Sequence, residues 1–537
     1  MLSQRAVKGS PAEKRRPLQI LKSEDRMLTP IQTAPMNFGS QEQKSAREEL
    51  FNLGASEQVG NVPNGQTEGL VWQGVEAEQW ARLRRVLGGD AERREEEQEA
   101  EEKEEKQRVA SVPNEKLRLR RVNREEVAPI PARLEELIPA DHPARLIWEE
   151  VEQLELEAFY AHLKVVEGGP GQAAIDPQIM VALWLYATSE GVDKARELNK
   201  KCVESLPYIW LCGGVRVNYH SLSDFRVEYQ EALDELMNQI LSKLDGAGLI
   251  NWENQAQDGM RVRASAGAAS FRREGTLEKG LAEAQSHLAA LEQQEASEHL
   301  SAGQKAARER AAREKVVRYE TALAEMPAVK AVKKKEDRDK ARVSTTDPLC
   351  RVMKMADGGY RPAYNWQFAV ETRHLIITGV DVVNTGSDKG QMLPMLAQIK
   401  QRHQRLPQNW LNDGGFVNLT AINQAAQQGV TIYAPVPEPR DKERDRYLPL
   451  PTDPPAVAAW RERMGTDEAK TLYKDRAASV ECVNAQARSQ RGVQQVSVRG
   501  QAKVKCVALW TAITHNLLIW IKHRRQTPTL TTEPATP

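Results

Sequence analysis

Between residues 347 and 436, short apolar runs alternate with amphipathic stretches, and nothing else narrows the fold of this chain as much. The runs read NWQFAVE, LIITGVDVV, QNWLND and VTIYAPV, and the stretches among them read KGQMLPMLAQIKQR and NLTAINQAAQQG. Short runs rich in β-branched and aromatic residues make strands, and the 3.6-residue period of the stretches makes helices. Strands mixed with helices in this way indicate an α/β core. A further strand-like stretch, NWENQAQDGMRVRASAG, alternates around Met260 and Val262.

A polar helix pair separates that first strand from the others. Leu277, Leu281, Ala284, Leu288 and Leu291 recur at four-three spacing, a short coiled-coil seam. A second helical stretch around Val316, Tyr319 and Leu323 should return against it, ending in the basic VKAVKKKEDRDKAR. Upstream, from about Val127, apolar residues fall at helical spacing with Pro131 and Pro139 as boundary marks. Asp176-Pro177 reads as an N-cap and first helical position for PQIMVALWLYATSEG. VDKARELNKKCVESL and HSLSDFRVEYQEALDELMNQILSKL follow as helices, with Ser221 and Ser223 as candidate caps of the second. Lys194, Arg196, Lys200, Lys201, Arg216 and Arg226 among these helices suggest a DNA-binding module, although a solvated basic face fits the same composition. Residues 440–455 are polar and proline-rich, hence a loop. Two helices close the chain, one around Glu481 and one over KVKCVALWTAITHNLLIWIKH.

At 537 residues the chain exceeds one compact core and calls for three or four domains. Residues 1 to about 120 lack sustained apolar periodicity and read as largely disordered, with one short helix at Trp80 to Leu87. Net charge is zero, yet Asp90 to Gln107 holds ten acidic and four basic residues. That segment carries −6, so the remainder carries +6 and can present basic surfaces beside an acidic extension. Cys202, Cys212, Cys350, Cys482 and Cys506 form no CxxC pair and no zinc-type spacing, which argues against a disulfide framework or zinc site. No apolar run reaches the roughly 18 to 20 residues of a membrane span, and no apolar block follows the basic N-terminus. A cytoplasmic location is expected. The domains are placed at 1–125 (acidic extension), 126–248 (helical), 249–523 (α/β, with a helical insertion at about 275–342) and 524–537 (disordered tail).

Chemistry on phosphodiesters by hard divalent cations needs clustered carboxylates on rigid elements. Asp258 lies in QDGMRV on the first strand. Asp413 follows WLN and precedes Gly414-Gly415, at the carboxyl end of a strand, where α/β sheets place ligands. Glu481 lies on a helix that carries Tyr473, Arg476 and Arg488, and positions 473, 481 and 488 share one face. Each acid alone is weak evidence, since Asp-Gly is a common turn and helix glutamates are usually solvated. Asp388 reads as a supporting residue, Asp347 as a turn cap, and His515 and His523 as core or surface residues.

From Pro131 to His523 the chain resembles the DDE transposases of bacterial insertion sequences. Within them it is similar to the branch with an N-terminal helical domain (the IS-four/IS-five superfamily, IS-eleven-eighty-two-like). The segments that carry the resemblance are ELIPADHPARLIW, DPQIMVALWLYATSEG, YHSLSDFR, QDGMRVRAS, STTDP, RVMKMADGGYRPAYNWQFAVE, GSDKGQMLPM, NDGGF and YKDRAASVECVNAQAR. The resemblance implies a ribonuclease-H-like fold in which Asp258, Asp413 and Glu481 bind two Mg²⁺ or Mn²⁺ ions. It also implies a tyrosine–arginine–glutamate–lysine set around the glutamate, here Tyr473, Arg476, Glu481 and, in place of lysine, Arg488. Arg476 and Glu481 are separated by four residues where the common pattern has three. The implied partners are terminal inverted repeats and target DNA, contacted by Tyr473, Arg476, Arg488, Lys200 and Arg226. A homodimer in the active complex and association with the nucleoid are implied as well. A ribonuclease-H-like nuclease that only cuts, or a repurposed DNA-binding relative, would share most of these features.

Overall fold

The computed structural model describes residues 56–60, 69–73, 119–123, 133–163, 165, 173–293 and 302–526. Two compact units divide at Glu104. In the first, strand β1 (Ser56–Gly60) pairs antiparallel with β2 (Gly69–Gln73). The expected helix at Trp80 to Leu87 and the acidic run lie outside the described residues.

The second unit begins with β3 (Leu119–Arg120), followed by helices α1 (Pro143–Val151) and α2 (Glu157–Tyr160). Strand β4 (Ala174–Ile175), which pairs with β3, leads into helix α3 (Pro177–Ser189). Asp176 caps α3 as its sequence announces, its carboxylate accepting from the Gln178 N–H at 3.0 Å. The helix is apolar on every side, and Ile179 through Ala187 are all buried. Helix α4 (Ala195–Glu204) packs on α5 (Leu206–Cys212), which packs beside α3.

The long helix expected from His220 onward is two helices, α6 (Tyr219–Glu228) and α7 (Gln230–Gly246). The carbonyls of Arg226 and Val227 accept from Trp510 Nε1 at 3.1 Å and Cys506 Sγ at 3.5 Å, which draws them away from the next helical turn. Asn218, rather than either serine, caps α6 by accepting from the Ser221 N–H at 2.8 Å.

Strand β5 (Asn254–Arg263) opens the sheet. The insertion follows, with short β6 (Phe271–Arg272), α8 (Glu274–Gln293), α9 (Ala302–Ala331) and short β7 (Val343–Ser344). Leu277, Ala322, Met326 and Val343 form a small separate core at its base. Gly280 lets the Tyr319 ring lie directly on α8, since a Cβ there would meet ring carbons at 2.5 and 2.7 Å.

The sheet continues with β8 (Arg351–Lys354), β9 (Tyr360–Glu371) and β10 (Ile377–Val383), which is followed by α10 (Met392–His403). Then come β11 (Asn409–Leu411), α11 (Leu419–Gln427) and β12 (Thr431–Tyr433). The path runs β10-β9-β5-β11-β12, with β8 also on β9. Strand β9 is antiparallel to β5 and β10, whereas β11 is parallel to β5 and β12. Side-chain groups satisfy the outer strands. The Gln398 amide exchanges two 2.9 Å bonds with Val380, and the Asn516 amide bonds both backbone groups of Ile377. At the far side Trp460 and Arg463 donate to the carbonyls of Ala434 and Ile432.

After the loop at 440–454 come α12 (Pro455–Gly465), α13 (Asp467–Arg476), a π-helical turn (Ala477–Glu481), α14 (Cys482–Ser489) and α15 (Gln501–Gln526). Helix α12 is not evident in the sequence reading. Helix α15 packs against α1, α3, α6, α7 and β10. By length and composition it would suffice to cross a membrane, against the sequence expectation, but 78% of its apolar window is buried within the protein. All five cysteines are free thiols.

Candidate active site

Strand pairing brings the two aspartates level. Leu411 of β11 pairs with Ala256 of β5, so Asp413 and Asp258 each stand two residues beyond that pair on neighbouring parallel strands. Asp258 faces the same side as its cross-strand partner Phe368. Asp413 caps the turn at Gly414–Phe416, where one carboxylate oxygen accepts from the Gly415 N–H at 2.8 Å. Glu481 comes from the helical segment above.

One guanidinium draws the three acids together. Arg476 donates to Glu481 Oε1 at 2.7 Å and to Asp258 Oδ1 at 3.3 Å, and lies 4.0 Å from Asp413 Oδ2. The arginine is buried, while the Asp413 and Glu481 side chains are 39% and 53% exposed, so the acids rim an open site. Asn484 donates to the second oxygen of Asp258 at 3.0 Å. It lies three residues beyond Glu481 on the same helical segment, a spacing that could have marked it in the sequence.

The spacing of Arg476 and Glu481 is explained by the π-helical turn. A π turn adds one residue to a helical turn, so residues five apart stack as residues four apart do in an α-helix. Ala477–Glu481 absorbs the additional residue and keeps Arg476 and Glu481 in contact.

Burial pushes the Asp258 carboxyl up to about 6, Arg476 opposes that shift, and the neighbouring Asp413 adds to it. For Arg476, burial alone would weaken the charged form, but Asp258, Tyr473, Glu481 and Asp413 reverse this and hold its pKa above the ordinary value. Burial raises the Tyr473 phenol, with Arg476 opposing.

Asp388 lies on the other face of the sheet. Its carboxylate accepts from Arg261 and Asn365 at 2.7 Å and from Gln367 at 2.8 Å. This cluster presses on Gly259, next to Asp258. A Cβ there would run into the Asp388 carboxylate and meet Gln367 Nε2 at 2.7 Å.

The remaining expectations separate. Arg488 is half-buried on α14, and Lys200 is exposed on α4, 3.7 Å from Glu204. Arg226, expected to face DNA, is buried with 7% exposure. Its guanidinium lies over the Trp184 ring at 4.7 Å and donates to the Asp193 carbonyl, so its charge is withdrawn from the open surface. Asp347 is buried at the start of a turn, where its carboxylate accepts from the Leu349 backbone N–H, and it also accepts from the Tyr364 hydroxyl at 2.8 Å and the Gly500 N–H at 3.2 Å. His515 is buried against the Leu375 carbonyl at 2.8 Å. His523 packs near Trp520.

A hard divalent cation prefers carboxylate oxygens, and Asp258, Asp413 and Glu481 supply them around a point already held by positive charge. The donor set therefore fits such an ion. Among the described residues no three His, Cys, Asp or Glu side chains stand close enough to share one, and Arg476 lies within 4.0 Å of each of these three acids. Binding would require the guanidinium to withdraw.

Residues 132–228 match the transposase domain family (DUF772), and residues 446–519 match the transposase DDE domain family. The first match spans α1 to α6. The second takes in Tyr473, Arg476 and Glu481 but not Asp258 or Asp413. No curated protein matches the chain. DDE domains of this kind use divalent metal ions, and transposases bind DNA. With both matches in their expected order along the sequence, the chain is a DDE-type insertion-sequence transposase by family.

Proposed function

We propose that this chain cuts the ends of a mobile DNA element and joins the freed 3′-hydroxyl to target DNA, with Asp258, Asp413 and Glu481 as the catalytic acids. The observation that carries the reading is the convergence of these three acids, from two strands and one helix, on the single cation Arg476. The antiparallel β10-β9-β5 half and parallel β5-β11-β12 half of the sheet support a ribonuclease-H-like core.

Asp258 and Asp413 would hold one or two Mg²⁺ or Mn²⁺ ions, and Glu481 would complete the set. When bound, such ions polarise a phosphate oxygen and stabilise charge on the attacking and leaving oxygens. The protein's own work is positional. Asn484 keeps the Asp258 carboxylate turned toward the site, and the buried Asp388 cluster fixes the backbone beside it. Arg476, once released by the acids, would pair with a DNA phosphate, for which its planar fork is suited. Arg488 and Tyr473 would contact the backbone on the same face, and Lys200 on the helical domain would contact DNA farther away. Arg226 is buried and stands apart from these exposed contacts. Joining two ends requires two catalytic sites, hence a dimer in the active complex.

The test is Mg²⁺- or Mn²⁺-dependent cleavage and joining of DNA ends taken from the element's flanks, wild type against Asp413→Asn. Joined products that fall by about a hundredfold or more in the mutant support the assignment. Metal-dependent cutting without joining favours a nuclease. Binding without any cutting in wild type returns the chain to a DNA-binding role.

A further inference from the structure

A second concentration of positive charge lies away from the acids, inside the unit. Arg226 and Arg491 line one cavity, with Thr188 and Asp193 on one wall and Gln495 and Thr511 on another. Each arginine is only 7% exposed. Among the described residues the Arg491 guanidinium has no hydrogen-bond or ion-pair partner. Arg226 donates to the Asp193 carbonyl and to Ser497 Oγ at 3.4 Å, and no carboxylate lies within ion-pair distance, Asp193 acting on it only from farther off. Burial pushes both guanidinium groups down to about 10. Withdrawing a charge from water without a counter-charge is costly, and here two such charges share one space.

The cavity is built by the backbone. Gly191 and Gly492 both take left-handed conformations, φ 72° and 67°, and pack face to face. A Cβ on Gly492 would lie 2.8 Å from the Gly191 carbonyl oxygen, so larger residues would part the two walls. The wall after α14 is also tied to the end of β5, where Arg263 N–H donates to the Gln494 carbonyl and Val496 N–H to the Arg263 carbonyl.

We propose that this cavity binds a phosphate-class oxyanion between Arg226 and Arg491. The site offers two guanidinium forks, which match a phosphoryl group by charge and planar geometry. An anion there would join α3 and α6 of the helical domain to the segment directly after the helix that carries Glu481. The phosphate belongs either to a DNA backbone or to a free small anion, and the two sources share this chemistry. The inference is independent of the roles given to the acids.

The experiment is thermal unfolding of the full chain in inorganic phosphate and in chloride of matched ionic strength, comparing wild type with Arg491→Gln. Phosphate should raise the wild-type Tm by about 2–4 °C, and the shift should vanish in Arg491→Gln. If that variant fails to fold, Arg491→Lys retains the charge without the fork and should show a smaller shift. A duplex titrated over a range of salt identifies the source. A salt dependence shallower by about one unit in Arg491→Gln assigns the phosphate to DNA, and an unchanged dependence with the Tm shift lost assigns a free anion. A phosphate shift no larger than that of chloride, or one that survives in Arg491→Gln and is undiminished in Arg491→Lys, overturns the proposal.

Discussion

Arg476 acts as an internal counter-ion, compensating three acids that would otherwise repel one another. Taking it away should therefore have opposite effects on two ligands. Arg476→Gln is expected to bind Mn²⁺ more tightly in the free protein, by about tenfold, and to bind DNA ends more weakly; titration calorimetry without DNA and a gel-shift assay read the two separately. Weaker Mn²⁺ binding in the variant would show that the arginine organises the acids rather than competing for them. On the opposite face of the sheet, Gly259→Ala should cost about 1–3 kcal/mol because its methyl group meets the Asp388 cluster, and denaturant unfolding would register this. The sequence nominates these three acids because one lies within a patterned strand, one just past a strand end and one on a patterned helix. The central place of Arg476 could not be read this way, since it depends on how α13 lies over the sheet. The inward turn of Arg226 was equally hidden: an arginine stacked on tryptophan inside a domain has the same letter as one on its surface.

Among the elements, the π-helical turn has the clearest consequence. It lets a spacing of five residues serve where four would serve in an α-helix. Deleting Ala478 should relax it to an α-helix, keep arginine and glutamate in reach, and leave joining activity within about tenfold of wild type. Inserting one more alanine would rotate Glu481 and Asn484 by about 100° relative to Arg476 and should abolish joining. Loss of activity in the deletion with unchanged Tm would mean that the turn itself is required. Most strands and helices of the sheet were legible because periodicity reports burial directly. The break between α6 and α7 was not, because the competing hydrogen bonds come from α15, more than 270 residues away.

For the whole molecule, two buried histidines predict how stability varies with pH. Burial pushes His403 and His515 down to about 4. The unfolded chain takes up protons near 6.5, while the folded one resists until about 4. The histidines' contribution is thus fully present above pH 6.5 and is lost as the pH falls through that window, by a few kcal/mol in all, while the raised Asp258 carboxyl works in the opposite sense. Urea midpoints between pH 7 and pH 4.5 should fall accordingly, and His515→Gln should flatten the trend; an unchanged slope would mean that other groups dominate.

Helix α15 has a further consequence, in time rather than space. It completes the packing of α3, α6 and α7 and also covers β10, so two regions made early in synthesis wait for residues 501–526 to emerge. Until then the buried faces of the helical domain and the outermost strand lack their last partner. A ribosome stalled before this point would carry a nascent chain with neither region closed. Truncation before residue 501 is therefore expected to leave both regions open at once rather than one alone.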